Sequence, residues 1–196
     1  EGLDSSVMLA FTRSAVNELN EMAHDKMLNT ALLTGNEFNF DVIRGTKQTF
    51  NKEELKLESK LFKPSKESFD IEKIKLASGE RLLFKKKDKA LGVDNGDMAT
   101  IIAINDSKFT ARLDNGTEVI ITKDGYKQFD YGYALTVHKS QGMTLDNTFI
   151  RLGPREFASG LTYTAMSRNK SIENMCLHPF PDYCRFLNIC LSFVEV

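Results

Sequence analysis

Three short segments of the chain carry side chains suited to binding phosphate groups. Residues 9–13 are an apolar run that ends on Arg13. Residues 131–144 contain a histidine, a lysine, a serine and a glutamine in succession before Gly142. Residues 161–168 end on Arg168. Guanidinium groups, hydroxyls, amides and a glycine that lets the backbone come close are the groups that hold phosphate oxygens in proteins.

Each segment also has a purely structural interpretation. Arg13 could be a surface residue in the first turn of a helix, although that position normally disfavours cations. Residues 131–144 could form a capped amphipathic helix, which explains Gly142 as its end but not the His-Lys-Ser-Gln run before it. Arg168 could pair with a helix dipole, or it could be an arginine finger that stabilises charge on a γ-phosphate. No segment decides between the two interpretations on its own.

A locally basic stretch follows in the middle of the chain. It could contact the backbone of single-stranded DNA, or it could be a solvated strand edge that lysines protect from pairing. Its members lie beside Phe84 and are Arg81, Lys85, Lys86, Lys87 and Lys89.

No complete catalytic apparatus is present in the sequence. It lacks the Gly-x-x-x-x-Gly-Lys-Ser/Thr P-loop, the Gly-x-Gly-x-x-Gly fingerprint and the His-Glu-x-x-His motif. A zinc site is one further possibility, but its four candidate ligands lack the Cys-x-x-Cys pair usual for structural zinc. We therefore expect no metal site among those residues, which are Cys176, His178, Cys184 and Cys190.

The composition is that of an ordinary globular protein. The 196 residues suit one large domain or two small ones, and 26 basic against 27 acidic side chains give a net charge of −1. A globally basic nucleic-acid binder is thereby excluded, but a local basic strip is not. No apolar run has the roughly 18–20 residues of a membrane span, and no secretion signal begins the chain. We expect a cytoplasmic protein with free thiols and no membrane partner, and the missing initiator Met suggests a piece of a longer protein.

The first third of the chain predicts a strand and a helix, followed by a weaker segment. Residues 7–11 form an apolar run typical of a buried parallel strand. Thr12 or Ser14 can cap a helix whose apolar residues recur up to residue 28 and which Gly35 closes. Residues 36–79 predict a solvated helix face or a mobile connector without chemistry, with interleaved charges at Glu53, Glu54, Lys56, Glu58 and Lys60.

The middle of the chain predicts several short strands. Residues 81–84, 98–104, 108–113 and 117–122 are rich in apolar and β-branched side chains, and the Asp-Asn-Gly at 114–116 is a strong hairpin turn. Strands at this spacing favour a small β-barrel inserted into an α/β framework.

The last third predicts a return to the α/β pattern. We expect a helix over 130–142, a strand over 148–152, a helix from Pro154 to about residue 168, a strand over 174–177 and a C-terminal helix from about Pro181. The first of these helices rests on an N-cap, one apolar face and a closing glycine, which are Asp130, Ala134, Val137, His138, Gln141 and Gly142.

Taken together, the three phosphate-suited segments resemble the second motor domain of superfamily 1 DNA helicases. Residues 133–142 (Tyr-Ala-Leu-Thr-Val-His-Lys-Ser-Gln-Gly) and 163–168 (Tyr-Thr-Ala-Met-Ser-Arg) are similar to motifs V and VI of that family. Residues 9–20 are similar to motif IV. The likeness is strongest to the C-terminal motor domain of the RecD-like and UvrD-like branches, and above all to the helicase part of TraA-type conjugal transfer relaxases.

The resemblance implies an α/β fold with two components. One is a RecA-like parallel-sheet domain (2A), and the other is an inserted SH3-like β-barrel (2B). It implies three ranges: 1–79 as the first part of 2A with a connector, 80–129 as 2B, and 130–196 as the remainder of 2A with a C-terminal helix. In the family the other motor half carries the P-loop and the Mg²⁺-binding carboxylate. The chain would then share ATP and Mg²⁺ with an N-terminal RecA-like domain, bind single-stranded DNA, and be inactive alone.

The resemblance also implies roles for individual residues. Arg168 would be the catalytic arginine finger. The nucleotide would lie near Gln141, Gly142, Thr144 and Arg13, although Thr144 stands where many relatives have a glutamate for the ribose. The tracking DNA strand would be contacted by Thr136, His138, Lys139, Ser140, Lys85, Lys86 and Lys87.

Two functions from different classes are compatible with this resemblance. The first is the C-terminal half of an ATP-dependent helicase or translocase, from a conjugal DNA transfer protein or a relative of the exonuclease V alpha chain. The second is a degenerate helicase-like module that binds DNA or a protein without turning over ATP. The intact Gln141, Gly142 and Arg168 favour the first. A free-standing SH3-like scaffold leaves residues 130–177 unexplained.

Overall fold

The computed structural model describes residues 6–48, 67–152 and 160–178. Two α-helices and eleven strands lie in these ranges, besides a short 3-10 turn at Ile172–Asn174. In chain order they are β1 (Ser6–Ala10), α1 (Arg13–Asn29), β2 (Thr34–Gln48), β3 (Glu67–Ser78), β4 (Arg81–Phe84), β5 (Met98–Ile104), β6 (Lys108–Leu113), β7 (Glu118–Thr122), β8 (Phe129–Tyr131), β9 (Ala134–Thr136), β10 (Asn147–Arg151), α2 (Leu161–Met166) and β11 (Met175–His178).

A four-stranded parallel sheet carries the α/β part of the molecule. Its order is β11-β10-β1-β9, and each neighbouring pair is parallel. Side chains of β1 alternate between two cores, as a strand covered on both faces requires. Met8 lies in the core that contains residues of α1, and Leu9 lies in the core that contains Leu161 and Ala165 of α2. The two helices therefore cover opposite faces of the sheet.

The helix after β1 begins as its sequence predicts but ends earlier. Thr12 is the N-cap, and its hydroxyl accepts a hydrogen bond of 3.1 Å from the backbone N–H of Ala15. The last helical residue is Asn29, so the prediction that Gly35 closes the helix is wrong. Gly35 lies in β2, with a left-handed φ of 82° that suits a glycine.

Antiparallel strands form the second part of the molecule. Strands β4 to β8 make a five-stranded sheet in the order β7-β6-β5-β4-β8. The predicted turn at 114–116 is confirmed, because the N–H of Gly116 donates to the carbonyl of Leu113 at 2.8 Å and β6 pairs with β7 on either side. The four predicted strands in this region are confirmed as well.

The expectation of a helix face or connector over 36–79 is wrong for the residues described. β2 and β3 pair along their length as a long antiparallel hairpin. Phe40, Val42 and Leu76 are buried and pack into the core that contains α1. Apolar residues at every second position, rather than helical spacing, produce this pairing. The interleaved charges at 53–60 lie outside the described residues.

Two of the last predicted elements also lie outside the described residues. These are the start of the helix at Pro154 and the C-terminal helix from Pro181, along with Cys184 and Cys190. The strands predicted at 148–152 and 174–177 correspond to β10 and β11. No helix in the described ranges is long and apolar enough to cross a membrane.

A buried polar cluster joins α1 to the antiparallel strands. Nδ1 of His24 lies 2.8 Å from a carboxylate oxygen of the fully buried Glu80, whose other oxygen accepts a 2.7 Å hydrogen bond from the hydroxyl of Tyr133. The second ring nitrogen of His24 lies 3.3 Å from Glu37, and its ring stacks on Tyr131. Burial lowers the pKa of His24, but the hydrogen bonds and charges of Glu80 and Glu37 outweigh burial and raise it above 6.5.

We predict that this cluster makes stability depend on pH. A raised histidine pKa adds stability that is complete below the unfolded value of 6.5 and is lost as the pH rises through the folded value. The free energy of unfolding, measured with urea, should therefore fall between pH 6.5 and that higher pKa. His24→Gln should flatten this fall, and the exposed His138→Gln should leave it unchanged. A slope that survives in His24→Gln would assign the pH dependence to other groups.

A buried asparagine fixes α1 against β9. The side chain of Asn20 accepts a 2.7 Å hydrogen bond from the backbone N–H of Ala134 and donates one of 3.4 Å to the carbonyl of the same residue. Asn20 is 3% exposed, so these bonds lie in the interior, where a polar group without a partner is costly. The bonds hold the N-terminal half of α1 beside the strand that leads into residues 137–142.

We predict that Asn20→Ala lowers the free energy of unfolding by about 1–3 kcal/mol, the usual cost of leaving a buried polar group without a partner. Urea denaturation of the chain measures the change. Asn29→Ala, at an exposed position in the last turn of the same helix, is the matched control and should cost less than about 0.5 kcal/mol. Equal losses in the two variants would show that the hydrogen bonds between Asn20 and Ala134 do not stabilise the fold.

Candidate nucleotide and nucleic-acid site

The parallel sheet brings two of the phosphate-suited segments to one edge. β1 and β9 are parallel neighbours, with Met8 opposite Ala134 and Ala10 opposite Thr136. Their carboxyl ends therefore lie side by side, which is where ligands bind in open α/β sheets. Arg13 follows β1 at the start of α1, and residues 137–142 follow β9.

The helix predicted over 130–142 is wrong. Residues 129–131 form β8, which pairs with β4, and residues 134–136 form β9, which pairs with β1. Turns follow over 137–142. Pairing with distant strands overrides the local helical spacing, because strands β8 and β9 are buried along nearly their whole length.

Residues 137–142 form compact turns anchored on Thr136. The N–H of Lys139 donates to the hydroxyl of Thr136 at 3.2 Å, and the N–H of Ser140 donates to its carbonyl at 3.1 Å. Ser140 is fully buried, and its hydroxyl donates to the carbonyl of Val137 at 2.9 Å. Ser140 therefore stabilises the turns, and its buried side chain is not accessible to DNA.

Four of the predicted ligand-binding residues are exposed around these turns. Gly142 has a left-handed φ of 87°, and no heavy atom would meet a Cβ placed there. The open space beside its backbone allows a ligand to approach closely. The exposed residues are His138, Gln141, Gly142 and Thr144.

Arg168 follows the end of α2, next to the segment that leaves the turns. Its carbonyl accepts a 2.9 Å hydrogen bond from the N–H of Leu145, and the N–H of Lys170 donates to the carbonyl of Leu145 at 3.0 Å. These bonds join the residues after Gly142 to the residues after α2. Backbone hydrogen bonds therefore connect the two segments that resemble motifs V and VI.

The guanidinium of Arg168 is held without a carboxylate. Its Nε donates to the carbonyl of Thr164 at 3.2 Å, and its Nη2 donates to the hydroxyl of Ser167 at 3.1 Å. Within the described residues it makes no ion pair, and the side chain is half-buried. Neutral partners fix the direction of the guanidinium but leave its charge available to an anion.

The basic stretch of the sequence is divided by the fold. Arg81 is 3% exposed and makes two hydrogen bonds to Asp114, of 2.5 and 2.6 Å, so its side chain is paired within the fold. Lys87 is exposed and forms an ion pair with Asp94, and Lys86 is exposed. By contrast, Nζ of Lys85 lies 3.2 Å from a carboxylate oxygen of Asp130.

Lys85 lines a cavity of about 300 Å³ between the start of α1 and strands β8 and β9. Arg13, Thr136 and Lys139 line the same cavity. Burial lowers the pKa of Lys139, and the nearby positive charges of Lys85 and Arg13 lower it further. A fourth cation in the lining is Arg44 of β2, which no local pattern in the sequence indicates.

Several known proteins are similar to part of this chain. No protein-family model matches the chain. A "Probable conjugal transfer protein TraA" from Sinorhizobium fredii is 26% identical over 169 residues, which are 85% of this chain and 13% of that protein. An "ATP-dependent DNA helicase Pif1" from Bdellovibrio bacteriovorus is 31% identical over 121 residues, which are 54% of this chain and 27% of that protein. The chain thus spans a small part of each relative.

Solved structures of Pif1 helicases share the fold. A Bacteroides Pif1 helicase in complex with ADP-AlF3 and single-stranded DNA matches 96% of this chain and 45% of its own, with a TM-score of 0.61 and 20% identity. A Pif1 helicase from Candida albicans matches with a TM-score of 0.55 and 16% identity. Together with the parallel sheet, these likenesses confirm the expected α/β RecA-like fold.

Sequence and fold point to the same group of proteins. The relatives are TraA conjugal transfer proteins and Pif1 helicases, and the structural neighbours are Pif1 helicases. The resemblance read from three short segments is therefore confirmed: the chain is similar to the C-terminal motor domain of superfamily 1 helicases, near the TraA-type conjugal transfer proteins.

Proposed function

We propose that the chain is the second half of an ATP-dependent DNA helicase or translocase that takes part in DNA transfer. The observation that carries this proposal is the placement of Arg168. Its guanidinium is held by neutral groups at a helix end, and its backbone is bonded to the segment that follows Gln141 and Gly142. Similarity to TraA proteins and to Pif1 DNA helicases supports the same function.

The nucleotide would lie between this chain and a second lobe that carries a P-loop. Arg168 would contact the γ-phosphate, where a fixed positive charge stabilises the charge that shifts during phosphoryl transfer. Gln141, Gly142 and Thr144, which are exposed beside the same segment, would face the nucleotide. An unpaired guanidinium fits a triphosphate, because no carboxylate among the described residues competes for it.

The second lobe would also hold the magnesium ion. The described residues bring together no group of three or more His, Cys, Asp or Glu side chains that could hold a metal ion. Mg²⁺ bound with ATP supplies charge neutralisation on the β- and γ-phosphates. This chain would then contribute its arginine to the site, but not the carboxylates that hold the metal.

The coupling to movement follows from differential affinity. ATP contacted by both lobes favours their closed arrangement, and loss of the γ-phosphate contact to Arg168 lets them separate. Thr136 and His138, which flank the start of the turns, would hold the tracking strand during one part of this cycle. Residues 137–145 connect the proposed DNA contacts to Arg168. This short segment would therefore respond both to bound DNA and to the bound nucleotide.

We also propose that the antiparallel sheet is the SH3-like 2B element of the family. Residues 80–129 would form this insertion, and residues 1–79 and 130–196 would form the RecA-like 2A domain. The continuous pairing of β4 through β7 supports this division. β8 also pairs with β4, so the two parts would share a strand at their boundary.

We predict that Arg168→Ala, made in a longer protein that includes the P-loop lobe, lowers the ATP turnover rate by about 10³-fold or more, the cost of removing an arginine finger. ATP affinity should fall much less, since the other lobe makes most of the contacts. Steady-state ATPase assays with single-stranded DNA measure both.

Two controls make this test specific. Lys170→Ala removes a nearby exposed cation that pairs with Asp146, and it should change turnover by no more than a few-fold. The chain alone should hydrolyse no ATP, because it lacks a P-loop. A mild effect of Arg168→Ala would mean that Arg168 has only a structural role at the end of α2. It would favour a module that binds DNA or a protein without turning over ATP.

A further inference from the structure

The fully buried carboxylate of Glu80 has no part in the proposed function. Glu80 directly precedes β4, and its carbonyl accepts a 2.8 Å hydrogen bond from the N–H of Ile101, so it is fixed on the antiparallel sheet. Glutamates are rarely buried completely unless they are paired, because losing their hydration is costly. One oxygen of Glu80 lies 2.8 Å from Nδ1 of His24, and the other accepts a 2.7 Å hydrogen bond from the hydroxyl of Tyr133.

Tyr133 contacts both parts of the molecule. It directly precedes β9, and its backbone carbonyl accepts a 2.9 Å hydrogen bond from the N–H of Met8 in β1. Its side chain binds Glu80 on the antiparallel sheet. The neighbouring Gly132 allows this close approach, because a Cβ there would lie 2.8 Å from backbone atoms of Leu82. The start of β9 is therefore held against the antiparallel sheet.

The hydrogen bond between Tyr133 and Glu80 lies close to the turns of the candidate site. Thr136 follows Tyr133 by three positions, and the turns over 137–142 are anchored on its hydroxyl and carbonyl. β9 is a strand of three residues, so it is too short to absorb a shift of Tyr133. A displacement of Tyr133 would consequently reach the turns.

Helix α1 completes the cluster from the other side. His24 follows Asn20 by one helical turn, so the face of α1 that binds Ala134 also binds Glu80. The start of β9 and the residue before β4 are thus joined to the same helix face. An opening at this junction must break the hydrogen bonds of Glu80.

The charges around His24 favour its protonated form. Two carboxylates lie beside its ring nitrogens, those of Glu80 at 2.8 Å and of Glu37 at 3.3 Å, and the ring stacks on Tyr131. Lys75 of β3 adds a cation on the Glu37 side, where its Nζ lies 3.6 Å from that carboxylate. Loss of the imidazolium charge leaves Glu80 as an uncompensated buried anion, which is strongly destabilising.

We propose that Glu80 is a positioning residue for the turns of the candidate site: its hydrogen bond to Tyr133 sets the place of residues 137–142 relative to the antiparallel sheet, and protonated His24 holds its carboxylate in the cluster. Deprotonation of His24 weakens the cluster and makes local opening of β9 and the turns easier. This coupling does not depend on the proposed function, because it needs neither DNA nor a nucleotide.

Amide hydrogen exchange, followed by NMR together with the titration of the His24 ring, tests this coupling. The protection factors of the amides of Ala134, Val137 and Ser140 should fall by about three-fold or more as the imidazole loses its proton, which is within the range of coupling between groups of one hydrogen-bond network. The amide of Gly116, in the β6–β7 turn, opens without breaking the cluster, so its protection factor should stay constant.

Two hydroxyl deletions separate this coupling from a general loss of stability. Tyr133→Phe removes the hydrogen bond to Glu80 and should abolish the response of the turns, while His24 still titrates. Tyr131→Phe is the matched control: it removes a hydroxyl that donates to the carbonyl of Lys75 at 2.6 Å in the same core, and it should keep the response. A response that survives in Tyr133→Phe, or turns whose protection ignores the titration in the unmodified chain, would overturn the proposal.

A third variant removes the charge. Glu80→Gln keeps the shape of the side chain, so the response of the turns should vanish, and a response in this variant would also overturn the proposal. Thermal unfolding shows whether Glu80→Gln is folded, and the two phenylalanine variants decide the test if it is not.

The test uses the 196-residue chain without a ligand, so its outcome is separate from that of the motor proposal. Loss of ATP turnover in Arg168→Ala, together with turns that ignore His24, would keep the motor proposal and overturn the coupling. Turns that follow His24, together with a mild effect of Arg168→Ala, would do the opposite.

Discussion

The position of β1 between β9 and β10 is the constraint on which the rest of the molecule depends. All three strands run in the same direction, so Arg13 and the turns after Thr136 leave the sheet at the same edge. Burial of both faces of β1 makes its register with its neighbours hard to shift, because a slip by one residue would exchange the two cores. Asn20 further fixes α1 against β9 through its hydrogen bonds to the backbone N–H and carbonyl of Ala134.

This arrangement separates two groups of candidate phosphate-binding residues in space. The α1 face of the sheet carries the cavity with Arg13 and Lys139, and the α2 face leads to Arg168. The segment between Gly142 and Leu145 joins the two, since Leu145 is bonded to the backbone on both sides of Asn169. A helicase motor domain needs such a connection, because ATP binding and hydrolysis must change the affinity for DNA through groups that are in contact.

The sequence predicted those elements whose signals are local. The apolar run of β1, the alternation in β6 and β7 and the Asp-Asn-Gly turn each specify a structure within a few residues. The helix predicted over 130–142 failed, because its spacing was also local but the true partners of Ala134 and Tyr131 lie in β1 and β4. β2 and β3 had a usable signal in the alternate apolar residues Phe38, Phe40 and Val42, which period-2 reading would have found.

For the site, the sequence supplied residues but not their grouping. Residue types identified Arg168, Lys139 and Thr136, whereas only the fold shows that Arg81 is paired with Asp114 and that Ser140 is buried. Arg44 carried no signal, since its contribution to the cavity depends on the long-range pairing of a hairpin that was not predicted. Charge compensation by a distant carboxylate is a property of tertiary structure and has no local pattern.

The proposed function requires that Arg168 act on a nucleotide held by another lobe. The most direct measurement is a structure of the longer protein with single-stranded DNA and a non-hydrolysable ATP analogue. We predict that the guanidinium of Arg168 leaves Thr164 or Ser167 and lies within hydrogen-bond distance of the γ-phosphate. A guanidinium that keeps both neutral partners and points away from the triphosphate would contradict the account.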